Sequence, residues 1–191
     1  MLLFAITAQL ASRTEPSQLD KEIAAFAEQM RGEGWTAFFK AVSYLGSSLF
    51  IIAATFALFA WFGWRSGWLK AAPIIMGTGL VYITNTLAKM AFGRGRPEEA
   101  WGIEAAGASF PSGNAMLALS LYGLAAIWIG RDVWLSQTTK RISYVIAALL
   151  ILLMGASRLY FSVHYATDII GGFAASFAIL ALMMAILTAR R

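Results

Sequence analysis

The chain contains no cysteine, which excludes disulfides and thiolate nucleophiles and leaves its redox compartment open. Histidine is almost as scarce. His164 is the only one, so a catalytic zinc, which usually draws on several His or Cys ligands, lacks a ligand set. Charge is thin as well: 13% of residues are Asp, Glu, Lys or Arg, against about a quarter in an ordinary soluble domain. The net charge is +5. No basic stripe interleaved with aromatics runs along a soluble face, so nucleic acid is not an expected partner. Internal repeats and low-complexity linkers are also missing.

What the chain does have is apolar length. Of its 191 residues, 59% are hydrophobic, and the mean hydropathy is +0.67. A helix needs about 20 residues to cross a bilayer. Residues 36–63, 69–92, 113–130, 142–158 and 168–189 meet or approach that length. The expected fold is all-α: a polytopic membrane helical bundle with five full spans and a short N-terminal apolar segment. Trp61, Trp64, Trp68, Trp128 and Trp134 fall near segment ends, as in interfacial aromatic belts; each taken singly also fits a core aromatic.

Residues 1–12 are apolar but too short to span. No basic stretch precedes them, so they read as a shallow first membrane helix rather than a signal peptide. Leu19, Ile23, Phe26 and Met30 recur at helical spacing with acids between them. Residues 19–31 therefore form either an amphipathic helix in the interface or a cap on the membrane domain. The expected organisation is residues 1–34 as this N-terminal region and 35–191 as the membrane domain.

The loops alternate in charge. Arg65, Lys70, Arg131, Asp132, Lys140, Arg141, Arg190 and Arg191 share one side if the spans alternate; Glu98, Glu99 and Glu104 share the other. Lys and Arg favour the cytoplasmic side. The C-terminus is therefore expected inside, and loops 93–112 and 158–167 outside.

Ionisable residues in or beside spans are costly and need a reason. Lys89, Arg96, Arg158, His164 and Asp168 all fall on the expected outer side. Singly, each has a plain explanation: a snorkelling lysine, a helix-end arginine, a packed histidine. Together they bring three mutually repelling cations and a His–carboxylate pair, four residues apart on one helical face, to one membrane surface. An anion between the cations relieves the repulsion, and phosphate suits the planar donor fork of arginine. The stretch "PSGN", Pro111 to Asn114, runs into the third span. Free amides at a helix N-terminus favour an anion, and Gly113 allows a close approach. Taken alone, the motif fits an ordinary helix cap better, since Ser and Asn are favoured there whatever the ligand.

These elements together resemble the type-2 phosphatidic acid phosphatase superfamily, whose pattern is K-x6-RP, PSGH and SR-x5-H-x3-D. Here they read "KMAFGRGRP" (Lys89 to Pro97), "PSGN" and "SRLYFSVHYATD" (Ser157 to Asp168). The resemblance covers most of residues 36–189. It implies a helical membrane domain, usually of six spans, with its site on the extracytoplasmic side of the bacterial cytoplasmic membrane. It implies a phosphatase that uses neither metal nor other cofactor and passes through a phosphohistidine. Carried over by position, His164 is the nucleophile and Asp168 orients its ring. Lys89, Arg96, Arg158, Ser112 and the Gly113 amide hold the phosphoryl oxygens. The implied substrate is a membrane lipid phosphate, such as a polyprenyl (undecaprenyl) diphosphate or a phosphatidylglycerol phosphate, reached within the lipid bilayer.

One position departs from the pattern. Asn114 stands where the family's histidine resembles a general acid, and an amide cannot deliver a proton at neutral pH. Two explanations compete. The chain is an inactivated His-to-Asn form with impaired turnover, or Asn114 is native and serves a diphosphate, whose phosphate leaving group needs little acid help. A rival of another class is a carrier that holds phosphorylated lipids without cleaving them. The intact His164–Asp168 pair argues against that, since binding alone does not require it.

Overall fold

The computed structural model describes residues 2–13, 15–98 and 100–189. Glu99, Arg190 and Arg191, used in the charge argument above, lie outside the described residues. The described chain is helical, with α1 at Leu2–Ala11, α2 at Gln18–Gln29, α3 at Glu33–Tyr44, α4 at Ser48–Ser66, α5 at Trp68–Phe92, α6 at Gly113–Arg131, α7 at Gln137–Tyr160 and α8 at Ala166–Ala189. Helices α4 to α8 are long and apolar enough to cross a membrane. Together with the short apolar α1 they form the expected five-span bundle.

The last four spans begin and end close to their expected limits. The first does not. The apolar run 36–63 is two helices, broken between Tyr44 and Ser48. The break is local chemistry. Ser47 takes an extended conformation and its side chain accepts the Phe50 N–H, capping α4. Gly46 is pressed against Met154 and Asn114, and a Cβ there would lie 1.8 Å from Met154 Cε. Gly46, Ser47 and Ser48 are too few to lower the average hydropathy of the run that contains them.

Helix α6 is the centre of the bundle, packing against α4, α5, α7 and α8. Met116, Leu121 and Leu124 on α6 are buried with Ile51, Ile74, Val81 and Leu180. Small residues let the helices approach, as is usual where lipid gives no hydrophobic drive to associate. A side chain on Gly77 would meet Leu124, and one on Gly172 would meet the Ser112 carbonyl. Polar groups inside are paired: Ser120 bonds Thr78 at 3.2 Å, and Ser176 donates to the Met116 carbonyl at 2.9 Å. Large apolar side chains such as Leu49, Phe56, Ile83 and Leu152 face outward, where acyl chains replace water.

Trp61, Trp64, Trp68 and Trp134 are exposed at the end of the bundle that carries Arg65, Lys70 and Arg131. Trp128 is buried instead and donates to the Lys70 carbonyl at 3.2 Å. Four tryptophans thus fit an interfacial belt and the fifth is a core residue.

The amphipathic segment forms α2, started by a capping box between Ser17 and Asp20. Helix α2 packs on α7 and α8, and α1 packs on α8. The connections that follow α5 and α7, with the adjoining ends of the helices, come together on the side of the bundle where α2 packs.

Candidate active site

Two connections carry most of the polar groups. The first, residues 93–112, leaves α5 at Gly93, whose φ of 58° is left-handed and which donates to the Lys89 carbonyl. Glycine takes that conformation at little cost. The second, residues 161–165, leaves α7 through Ser162, which is also left-handed (φ 49°). The two are tied together. Trp101 N–H donates to the Phe161 carbonyl at 2.8 Å, and Ser109 N–H donates to the Arg94 carbonyl at 2.8 Å.

His164 sits on the second connection, 5% exposed. Its Nδ1 lies 3.2 Å from Ser109 Oγ and 3.4 Å from Asp168 Oδ2. Ser109 Oγ itself donates to Asp168 Oδ2, and so does the Tyr165 N–H, at 2.8 Å. These partners assign the proton to Nδ1, since only a donor there satisfies the carboxylate side. Nε2 is left with its lone pair, 3.3 Å from Arg96 Nη1. Burial pushes the imidazole down to about 4 from its ordinary 6.5. Asp168 works against that, while Arg96 and Lys89 reinforce it. The ring is neutral at pH 7, as a nitrogen nucleophile has to be.

The cations converge from two sides. Lys89 Nζ donates to the Ala108 carbonyl at 2.8 Å, and Arg96 Nη2 reaches the same oxygen at 3.4 Å. Arg96 is spread over the loop, with Nε on the Gly107 carbonyl, Nη2 on Ala106 and Nη1 on Val163. Arg158 is buried at the end of α7, its side chain donates to Ser43 Oγ, and its carbonyl accepts the Val163 N–H at 3.1 Å. Lys89, Arg96, His164 and Asp168 therefore form one cluster, and Arg158 stands at the end of α7, tied by its backbone to the residue before His164.

The "PSGN" turn sits differently from a bare anion cradle. Ser112 is wholly buried. Its N–H donates to the Asp168 carbonyl at 3.1 Å, and its Oγ accepts the Ala115 N–H. The Ser112 amide is thus committed to α8, and the orphan amides of α6 start at Gly113 and Asn114. Gly113 is packed so tightly that a Cβ would stand 2.9 Å from Asn85 Oδ1. Asn85 in turn donates to the Pro111 carbonyl at 3.1 Å. Asn114 Nδ2 donates to the Gly46 carbonyl at 2.8 Å, which places it against the α3–α4 turn.

Three residues in the site escaped the sequence reading. Ser109, between His164 and Asp168, sits in a loop with no spacing signal. Arg94 lies within "GRGRP" and looks interchangeable with Arg96, yet it is buried and pairs with Asp168 Oδ1 at 2.6 Å. Asp20 looks like one acid among several on the polar face of α2, yet it is 2% exposed and pairs with Arg94 at 3.1 Å. Neither charge offers a periodic or motif signal.

Comparison with known proteins places this arrangement. The chain is 28% identical over 173 residues to phosphatidylglycerophosphatase B of Bacillus subtilis, covering 90% of this chain and 85% of that protein. Its fold matches the crystal structure of a transmembrane PAP2-type phosphatidylglycerolphosphate phosphatase from Bacillus subtilis with a TM-score of 0.90, at 26% identity, over 100% of this chain and 94% of the other. Aquifex aeolicus LpxE shares the fold, with a TM-score of 0.68 at 21% identity, over 90% of this chain and 98% of the other. The PAP2 superfamily model matches residues 70–191, the stretch that holds Lys89, Arg96, Arg158, His164 and Asp168, and the chain is a multi-pass membrane protein that belongs to that superfamily.

Proposed function

We propose that the chain hydrolyses a phosphate from a membrane lipid phosphate or diphosphate through a phosphohistidine at His164. The observation that carries this reading is the two-sided environment of the only histidine. Its Nδ1 is held by Ser109 and Asp168, and its Nε2 faces the guanidinium of Arg96.

In this mechanism the substrate phosphoryl group displaces Arg96 from Nε2 and takes up its charge. Lys89, Arg96 and Arg158 neutralise the phosphoryl oxygens, with the Gly113 amide and the hydroxyl hydrogen of Ser112 as further donors. Phosphoryl transfer asks the protein mainly for position and for positive charge on those oxygens. The Nε2 lone pair forms the N–P bond as the P–O bond to the leaving group breaks. The Nδ1 proton stays in place, and Asp168 stabilises the positive ring. Water then attacks phosphorus, the N–P bond breaks, and inorganic phosphate leaves.

The leaving oxygen gains little from Asn114, which can donate a hydrogen bond but not a proton. A diphosphate substrate tolerates this better than a monophosphate, because phosphate is a better leaving group than an alkoxide. The relatives named for phosphatidylglycerophosphate hydrolysis support a phosphatidylglycerol-phosphate type of lipid, and the asparagine supports a polyprenyl diphosphate. Arg65, Lys70, Arg131, Lys140 and Arg141 crowd the far end of the bundle. Under the positive-inside rule the site then faces the extracytoplasmic side and the C-terminus the cytoplasm.

Phosphate release from a panel of lipid mono- and diphosphates, with chelator present throughout, tests the reading. Release from at least one lipid, abolished by His164→Gln, is expected. Binding of every lipid in the panel without release would favour the carrier.

A further inference from the structure

One buried guanidinium joins two carboxylates behind the reacting ring. Arg94 Nη1 donates to Asp168 Oδ1 at 2.6 Å and to Thr167 Oγ1 at 2.8 Å. Its Nη2 donates to Asp20 Oδ2 at 3.1 Å. Its Cζ lies 4.1 Å over the ring of Tyr165. Asp20 also accepts from the Thr167 N–H at 2.9 Å and from Thr167 Oγ1. Because Arg94 occupies Oδ1 of Asp168, Oδ2 is the oxygen left for Ser109, the Tyr165 N–H and His164. Just past the C-terminal end of α2, the same segment is held from the other side, with Arg31 Nη2 donating to Ser162 Oγ at 2.9 Å. Helix α2 and the residue that follows its cap therefore grip the chain at residues 167 and 162, on either side of His164.

From this geometry we infer that Asp20 is a positioning residue for the His164–Asp168 pair, acting through Arg94 from a helix outside the family-matched residues 70–191. The inference rests on the proposed role of His164. Its physical content is charge sharing. With Asp20 present, one cation answers two carboxylates, and Asp168 keeps enough negative charge to hold the Nδ1 proton and the positive phosphoimidazole. Without Asp20, the whole charge of Arg94 falls on Asp168, which becomes a weaker acceptor toward the ring. Burial sharpens the effect, since charges out of water interact strongly.

A purely structural role competes, because Asp20 also accepts the Ser17 N–H at 3.2 Å in the capping box of α2. Capping alone would stabilise α2 and leave the ring untouched. The test exploits the single histidine: in 15N-histidine-labelled protein in phospholipid nanodiscs, every imidazole signal is His164. The charged groups facing it, Lys89 from α5, Arg94 and Arg96 from the first connection and Asp168 from α8, remain in all variants. Wild type is expected to show one tautomer, protonated at Nδ1. Asp20→Asn is expected to give mixed tautomers and a lower titration midpoint. On a lipid phosphate, its kcat should fall by about 10- to 100-fold, the range usual for residues that orient a ligand through another group, with KM little changed. Asp20→Glu keeps the charge and should recover most of both readouts. Ser17→Ala removes the side-chain half of the cap, the Asp20 N–H bond to Ser17 Oγ, while keeping the Asp20 carboxylate, and should leave the ring spectrum as in wild type. The inference is overturned if folded Asp20→Asn keeps the wild-type spectrum and kcat, or if Ser17→Ala shifts the ring as much as Asp20→Asn does. Should wild type release no phosphate, the mechanism fails while the spectra still decide the role of Asp20.

Discussion

Replacing Asn114 with histidine asks directly what the departure at this position does. Asn114 Nδ2 donates to the Gly46 carbonyl at 2.8 Å. In a histidine at the same position Nδ1 stands at the same bond distance from Cβ as Nδ2 does in asparagine. The Gly46 carbonyl is thus available to hold the Nδ1 proton, leaving Nε2 for the leaving oxygen. General acid catalysis is typically worth 10²- to 10⁴-fold, or about 3–5 kcal/mol in the barrier at roughly 1.4 kcal/mol per tenfold. Asn114→His is expected to raise kcat on a lipid monophosphate by that order and on a lipid diphosphate by much less. The assay is phosphate release in nanodiscs against both substrates, with the folded fraction checked by thermal melting. A folded variant that accelerates neither substrate refutes the assignment of Asn114 to the leaving-group side.

Other consequences follow from the same geometry. The imidazole is held at about 4, so the acid limb of kcat/KM should lie well below pH 6.5, and activity at pH 5.5 should stay close to that at pH 7. The sign of the stability effect is also fixed. Between about pH 6.5 and 4 the unfolded chain takes up a proton at His164 and the folded chain does not, so stability falls by up to ~3 kcal/mol as pH drops through that window; melts of wild type against His164→Gln check this. Gly172→Val would push a Cβ to within 2.9 Å of the Ser112 carbonyl, prising α8 from the "PSGN" turn. A cost of about 1–3 kcal/mol is expected from such overpacking, readable as a lower melting temperature together with lost turnover. Ser109→Ala removes the hydroxyl that bridges His164 and Asp168 and should lower kcat with little change in KM.

How much of this was legible in the sequence depended on the kind of signal. Spans announced themselves by length and apolarity, because lipid imposes both. The break at Gly46 did not, since two short polar residues inside a long apolar run barely change its average. The motif residues were legible as a spaced set, and the fold brings them near one another: Lys89 and Arg96 meet at one carbonyl, and His164 lies beside Asp168. Ser112 was placed on the right turn, but its amide is spent on Asp168 rather than left free. Asp20 and Arg94 could not be paired from sequence. They are 74 residues apart, and each looks like an ordinary surface charge until the fold buries it.

The claim that phosphate transfers to His164 can be met head on. The chain is mixed with lipid substrate labelled at the departing phosphorus, quenched in alkali within milliseconds, and its peptides are mapped. The account predicts label on the peptide carrying His164, hydrolysed no more slowly than turnover, and neither label nor phosphate release in His164→Gln. Phosphate released by His164→Gln at the wild-type rate, or label found on another residue, contradicts it.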